Sequence, residues 1–165
     1  SRLMRALGQV KSAKARFVER KEVAILNAPL ESSGTVIYTA PGKLEKHTLA
    51  PRPESLVLEG DRLTLESKAR NQSRTFALRE HPVIWAFVES IRSTLAGDLA
   101  TLSRFYKVSL QGAEQQWRLV LMPIEPAMQG VVRETAIEGS RDRVSTIEIP
   151  ETNDDRSLMT ITPEP

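Results

Sequence analysis

The sequence predicts a mainly β protein: one large curved antiparallel sheet of about ten or eleven strands, covered on one face by helices inserted once along the chain. Three observations carry this expectation. Short runs that alternate apolar and polar residues, broken by turn residues, recur along most of the 165 residues, and a period of two marks half-buried strands. From Pro82 onward this period gives way to three- and four-residue spacings, the pattern of an amphipathic helix. The length suits a single domain, residues 1–165, which can bury a core without metals or disulfides.

The chain opens on Ser1, without an initiator Met, inside a helix-like stretch from Arg2 to about Val10. The expectation is that an N-terminal segment such as a signal peptide has been removed. Ala15 to Ile25 reads as the first strand, with Phe17, Val23 and Ile25 among its apolar positions, ended by Asn27-Ala28-Pro29. Gly34 to Ala40 follows, closed by the turn pair Pro41-Gly42, and Lys43 to Leu49 is its returning partner. Ser55 to Leu58 and a strand through Leu63 and Leu65 make a hairpin about Glu59-Gly60-Asp61, and a polar strand is expected around Arg74 to Leu78.

Val83, Ile84, Phe87, Val88, Ile91 and Leu95 then form one apolar stripe, with Pro82 placed as a first helical residue. Gly97 ends this helix, and Asp98 is placed to cap a second short one containing Leu99 and Leu102. Strands resume over about 105–110, 116–122, 131–138, 143–149 and 157–162, separated by Gly112, Pro123 to Pro126, Gly139-Ser140 and the polar tip Asn153-Asp154-Asp155.

Composition excludes several classes. Hydrophobic residues make up 40%, charged residues 27%, and mean hydropathy is −0.30, values of an ordinary globular protein. The longest apolar-leaning window, Val83 to Leu95, is interrupted by Glu89, Ser90, Arg92 and Ser93 and is too short to span a bilayer. Without cysteine there is no disulfide, zinc thiolate or thiol nucleophile. Net charge is +2, but residues 1–26 hold seven Lys or Arg against two Glu. That basic start suits an anionic membrane surface or an acidic partner, or is simply the wet face of a strand through Arg16, Arg20 and Lys21. No basic stripe interleaved with aromatics is present, which argues against nucleic acid. His47 and His81 lie far apart in sequence and read as a strand-surface and a helix-entry residue, and no nucleophile, metal or phosphate motif is present. No catalytic residue, metal site or cofactor is expected.

The run Ser33 to Leu44 around Tyr38 and Pro41, followed by Pro53-Glu54-Ser55 to Leu58 and Gly60-Asp61, resembles LolA, the periplasmic carrier of bacterial lipoproteins. The Ala15 to Lys21 strand, the Pro-led helix and the Asp-Asp tip before the last strand recur in the same order, so the resemblance covers nearly the whole chain. It implies an unclosed barrel under a helical lid, with an apolar cavity between them that shelters acyl chains. One position departs from the pattern. An arginine precedes the turn proline in the housekeeping carrier and is thought to latch the lid, whereas Ala40 stands here and offers no donor. Lys43, Lys46 and His47 are the candidate substitutes.

With Ala40 inward as in the family, alternation places Val36 and Tyr38 on the same face. By parity Leu56 with Leu58, Leu63 with Leu65, and Trp117 with Leu119 and Leu121 form further one-sided sets. The resemblance implies that these line the cavity together with Phe17, opposite Trp85, Phe87, Val88 and Ile91 of the lid; the plain alternative is a closed core. The function implied is a periplasmic carrier or chaperone, not an enzyme, for a lipid, a lipidated protein or a lipid-like envelope product. A monomer is expected, working between an inner-membrane donor and an outer-membrane acceptor. A lipid-sensing regulatory module, which would usually come with a second domain, is the alternative; a lipid hydrolase is disfavoured by the missing nucleophile.

Overall fold

The computed structural model describes residues 2–23, 28–40, 42–130, 132–150 and 155–163, with the side chains of Arg2, Pro82, Val83, Ile84, Ala86 and Phe87 outside that description. Ile25, Asn27, Pro41, Val131, Asn153 and Asp154, named above, also lie outside it. Helix α1 (Arg2–Gly8) leads into β1 (Ser12–Glu22), β2 (Leu30–Thr39), β3 (Lys43–Ala50), β4 (Glu54–Glu59), β5 (Arg62–Ser67) and β6 (Gln72–Ala77). A 3₁₀ turn at Leu78–Glu80 opens onto α2 (Pro82–Leu95) and α3 (Leu99–Phe105). The chain continues through β7 (Tyr106–Ala113), β8 (Gln116–Pro123), α4 (Pro126–Gln129), β9 (Thr135–Ser140), β10 (Arg143–Pro150) and β11 (Arg156–Pro163).

All eleven strands form one sheet in the order β6-β5-β4-β3-β2-β1-β11-β10-β9-β8-β7, and every pairing is antiparallel. Sequential strands are neighbours except at two places. β1 pairs with β11, and the chain passes from one edge, β6, to the other, β7, through α2 and α3. That crossing shapes the molecule. A flat sheet of this many strands is about 48 Å wide at ~4.8 Å per step, whereas 14 and 7 helical residues laid end to end reach only about 32 Å. Curling the sheet shortens the crossing, and the observed sheet is curved and unclosed, as the sequence predicted.

The helix signals act as read. Pro82 stands in the first turn of α2, and the Asp98 carboxylate accepts the Thr101 N–H at 3.1 Å and the Thr101 hydroxyl at 2.6 Å. Gly97, at φ +69°, ends α2 where a β-carbon would lie 2.0 Å from the Met4 carbonyl oxygen, so only glycine lets α1 approach this closely. Three expectations are corrected. β1 and β2 begin earlier, at Ser12 and Leu30, because cross-strand pairing recruits the polar Glu31-Ser32-Ser33 that pattern alone left out. Phe105 closes α3 and does not open a strand. The strand expected from residue 131 begins only at Thr135, because Pro126 starts the short α4 where the sequence suggested a turn.

The core has two centres. Leu58, Leu63 and Leu78 pack with Leu56, Phe76, Trp85 and Val88 on the β3–β6 half. On the other half, α1 (Leu3, Met4, Leu7) and Leu102 of α3 pack on Tyr106, Trp117, Leu119, Leu121 and Ile137. Among the described residues no helix is long and apolar enough to cross a membrane.

Candidate ligand-binding face beneath the helices

Cross-strand partners project to the same side of a sheet, so the register defines rows across it. Tyr38, Leu44, Leu58, Leu63 and Phe76 form one row through β2–β6. The packing of Leu58 and Leu63 against Trp85 and Val88 identifies its side as the one facing α2. One step along the strands lies the row Val36, Lys46, Leu56, Leu65 and, at the β6 edge, the exposed Arg74. On the far half, Trp117, Leu119 and Leu121 face the helices, and Ile91 of α2 packs against that group. The Trp117 indole is held twice: Nε1 donates to the Arg141 carbonyl at 2.9 Å, and a β-carbon on the paired Gly139 would meet the ring at 2.4 Å. Trp85 meets Phe105 edge-on with centroids 5.6 Å apart.

Among the described residues, most of those named from sequence lie on the helix-facing side and fall into two packing centres. Leu56, Leu58, Leu63, Trp85 and Val88 belong to one packing centre, and Trp117, Leu119, Leu121 and Ile91 to the other. Phe17, 1% exposed, and Tyr38, 5% exposed, are buried outside both groups as formed by the described residues; Phe17 lies on β1, among the central strands. Leu65 is 37% exposed at the margin. Ala40 stands in the turn after β2, its N–H donating to the Lys11 carbonyl at 2.8 Å. Phe87 lies outside the described side chains. Clefts of about 350 and 520 Å³ open at the α1 end, one beside Leu3, Trp117 and the β7–β8 turn, the other beside Ala6, Gln9 and Arg141.

Sequence reasoning missed a residue that ties α2 to the sheet. The partners described for Lys43, Lys46 and His47 are Glu59, Glu19, and Glu45 with Ser55, all of them on strands. Arg92 of α2 makes the connection instead, donating to the Gly60 carbonyl at 2.6 Å, pairing with Glu89 and laying its stem against Gly42 in the β2–β3 turn. Desolvation lowers its affinity for the proton, and the Asp61 carboxylate opposes that. The signal was legible in spacing: Trp85, Val88 and Arg92 lie at i, i+3 and i+7, which places a cation on the sheet-facing stripe.

Burial raises the phenol pKa of Tyr38 and, against a hydrogen bond with Ser90, that of Tyr106. The His47 ring lies by Ser55 and Glu45, and the His81 ring packs edge-on to Phe76 at 4.8 Å. Among the described residues no group of three His, Cys, Asp or Glu side chains converges as a metal site. The chemistry this face offers is apolar enclosure with polar groups at its margins.

The family model described as outer membrane lipoprotein carrier protein LolA-like matches residues 1–161. No curated protein matches the chain in sequence. Among solved structures, a LolA superfamily protein from Nitrosomonas europaea superposes with a TM-score of 0.52 at 10% identity, over 97% of this chain and 89% of its own. A lipoprotein-sorting protein domain from Vibrio parahaemolyticus gives 0.48 at 8% identity, over 96% and 86%. The MucA/MucB complex of Pseudomonas aeruginosa gives 0.48 at 13% identity, over 99% of this chain and 56% of that one. The family model spans nearly the whole chain, and this chain belongs to the outer membrane lipoprotein carrier protein LolA-like family.

Proposed function

We propose that the protein is a periplasmic carrier that takes an acyl chain, of a lipid or a lipidated protein, between the sheet and α2. The observation that supports this reading is that, among the described residues, the helix-facing side carries two apolar packing centres and α2 lies on both. A single solid core would resist insertion, whereas α2 lies on one centre through Trp85 and Val88 and on the other through Ile91, so shifting it parts apolar contacts and the polar fastenings at Arg92 and Ser90. Each methylene sheltered there gains about 0.8 kcal/mol, enough to hold a tail in water and little enough to release it to an acceptor.

In this reading the cargo arrives from an inner-membrane donor and leaves to an outer-membrane acceptor. The protein binds its cargo and does no chemistry on it. Displacement of an environment-sensitive apolar fluorophore by long-chain amphiphiles tests it. Saturable binding that Leu58→Asp or Val88→Asp weakens supports the carrier; no uptake of fluorophore or amphiphile by a folded protein contradicts it.

A further inference from the structure

The helix-facing side carries an ion pair in an apolar setting. Lys46 of β3 reaches across β2 to β1, where its Nζ donates to Glu19 Oε2 at 2.8 Å and stands 5.1 Å from the centre of the Phe17 ring. The route passes over Gly34, which pairs with Phe17 and puts no side chain between the two strands. Val36 and Leu56 flank Lys46 in its row. Lys46 and Glu19 remain 28% and 24% exposed, so solvent or a ligand reaches both.

Their position gives the pair its meaning. The row of Leu58 and Leu63, at 0% and 4% exposure, is sealed by α2, while the next row, of Lys46 and Leu65, is where cover ends and Leu65 reaches 37%. A tail that crosses from the apolar row toward this margin passes Lys46.

We infer that Lys46 binds the anionic head of a single-chain amphiphile, a carboxylate or phosphate carried on an apolar tail, with Glu19 holding the ammonium in place until the ligand takes it. This rests on the carrier reading of the same face. An ion pair this accessible exchanges readily. Of its two members Lys46 has the longer flexible stem and can turn from Glu19 to a ligand without moving a strand. The chain's basic pI of 9.1 favours the approach of anions. Glu54, exposed on the same side near Thr48, keeps the margin selective for a head placed at Lys46 rather than farther out.

The test is displacement of N-phenyl-1-naphthylamine, a neutral probe, at low salt by four ligands sharing one oleoyl or oleyl tail: oleate, monooleoyl phosphatidate, monooleoylglycerol and oleylamine. Oleate or the phosphatidate binds about tenfold more tightly than monooleoylglycerol, and the difference between those two anions identifies the preferred head. Lys46→Met removes the preference and leaves monooleoylglycerol unchanged, Lys46→Arg keeps it, and Glu19→Gln strengthens both anions. Equal affinity for all four ligands, a preference for oleylamine, or a loss in Lys46→Met that extends to monooleoylglycerol overturns the inference. If Lys46→Met does not fold, Glu19→Gln decides, because unchanged or weaker anion binding there overturns it. Absence of any probe binding to the unaltered protein refutes the carrier reading itself, an outcome distinct from binding without head preference.

Discussion

Arg92 on the covering helix donates a 2.6 Å hydrogen bond to the carbonyl oxygen of Gly60 at the tip of the β4–β5 hairpin, so α2 is tied to the sheet from the helix side. The side chain is 16% exposed and its stem packs on Gly42. Its removal leaves a carbonyl and Glu89 without their cation. Arg92→Met is expected to cost about 1–2 kcal/mol in denaturant unfolding and to speed release of a bound fluorophore. Arg79→Ala is the comparison. Its ion pair with Asp61, at 3.1 Å, has the arginine 75% exposed, and a pair so solvated is worth about 0.5 kcal/mol or less. Equal losses in the two variants contradict a fastening role for Arg92.

Thr135, fully buried on β9 opposite Leu121, carries the one buried side-chain oxygen without a hydrogen-bond partner among the described residues. Its hydroxyl loses water on folding and meets no partner among the described residues. Thr135→Val keeps the shape and removes that loss, so the variant is expected to be more stable by about 1 kcal/mol in urea unfolding. A clear loss of stability means that the hydroxyl is satisfied in solution.

Tyr106 predicts a pH dependence. Its phenol is 1% exposed, and burial raises its pKa above the ordinary 10.0. The folded state thus favours the protonated phenol. Its contribution is complete below pH 10 and is lost as pH rises through the higher folded value, because the unfolded chain ionises first. Thermal melting between pH 9 and 11 is expected to fall more steeply for the unaltered protein than for Tyr106→Phe. Parallel curves reject the assignment.

Much of the fold was legible because local signals and tertiary packing agree. The period of two located the strands, and Pro82, Gly97 and Asp98 bounded the helices. The misses have physical causes. Leu30 to Ser33 are in a strand only because Lys21 to Val18 lie beside them, a relationship no local pattern contains. Pro126 serves equally as a turn residue and as a helix start. At the site, parity placed Tyr38, Leu58 and Trp117 on the side that faces the helices, since alternation is a property of each strand. It did not show that Leu58 and Trp117 pack in separate centres, because that depends on a strand order joining β1 to β11. Lys46 was weighed as a latch from its place in the chain, while its reach over Gly34 to Glu19 depends on strands brought together by folding.

The central claim is that the face beneath α2 holds an acyl chain. Purifying the protein from a periplasm without detergent, extracting it with organic solvent and identifying the extract by mass spectrometry tests this most directly. The account predicts an apolar-tailed molecule near one per protein, depleted in a Leu58→Asp variant of the same fold. A folded protein that yields no such molecule, and takes none up from an envelope lipid extract, contradicts it.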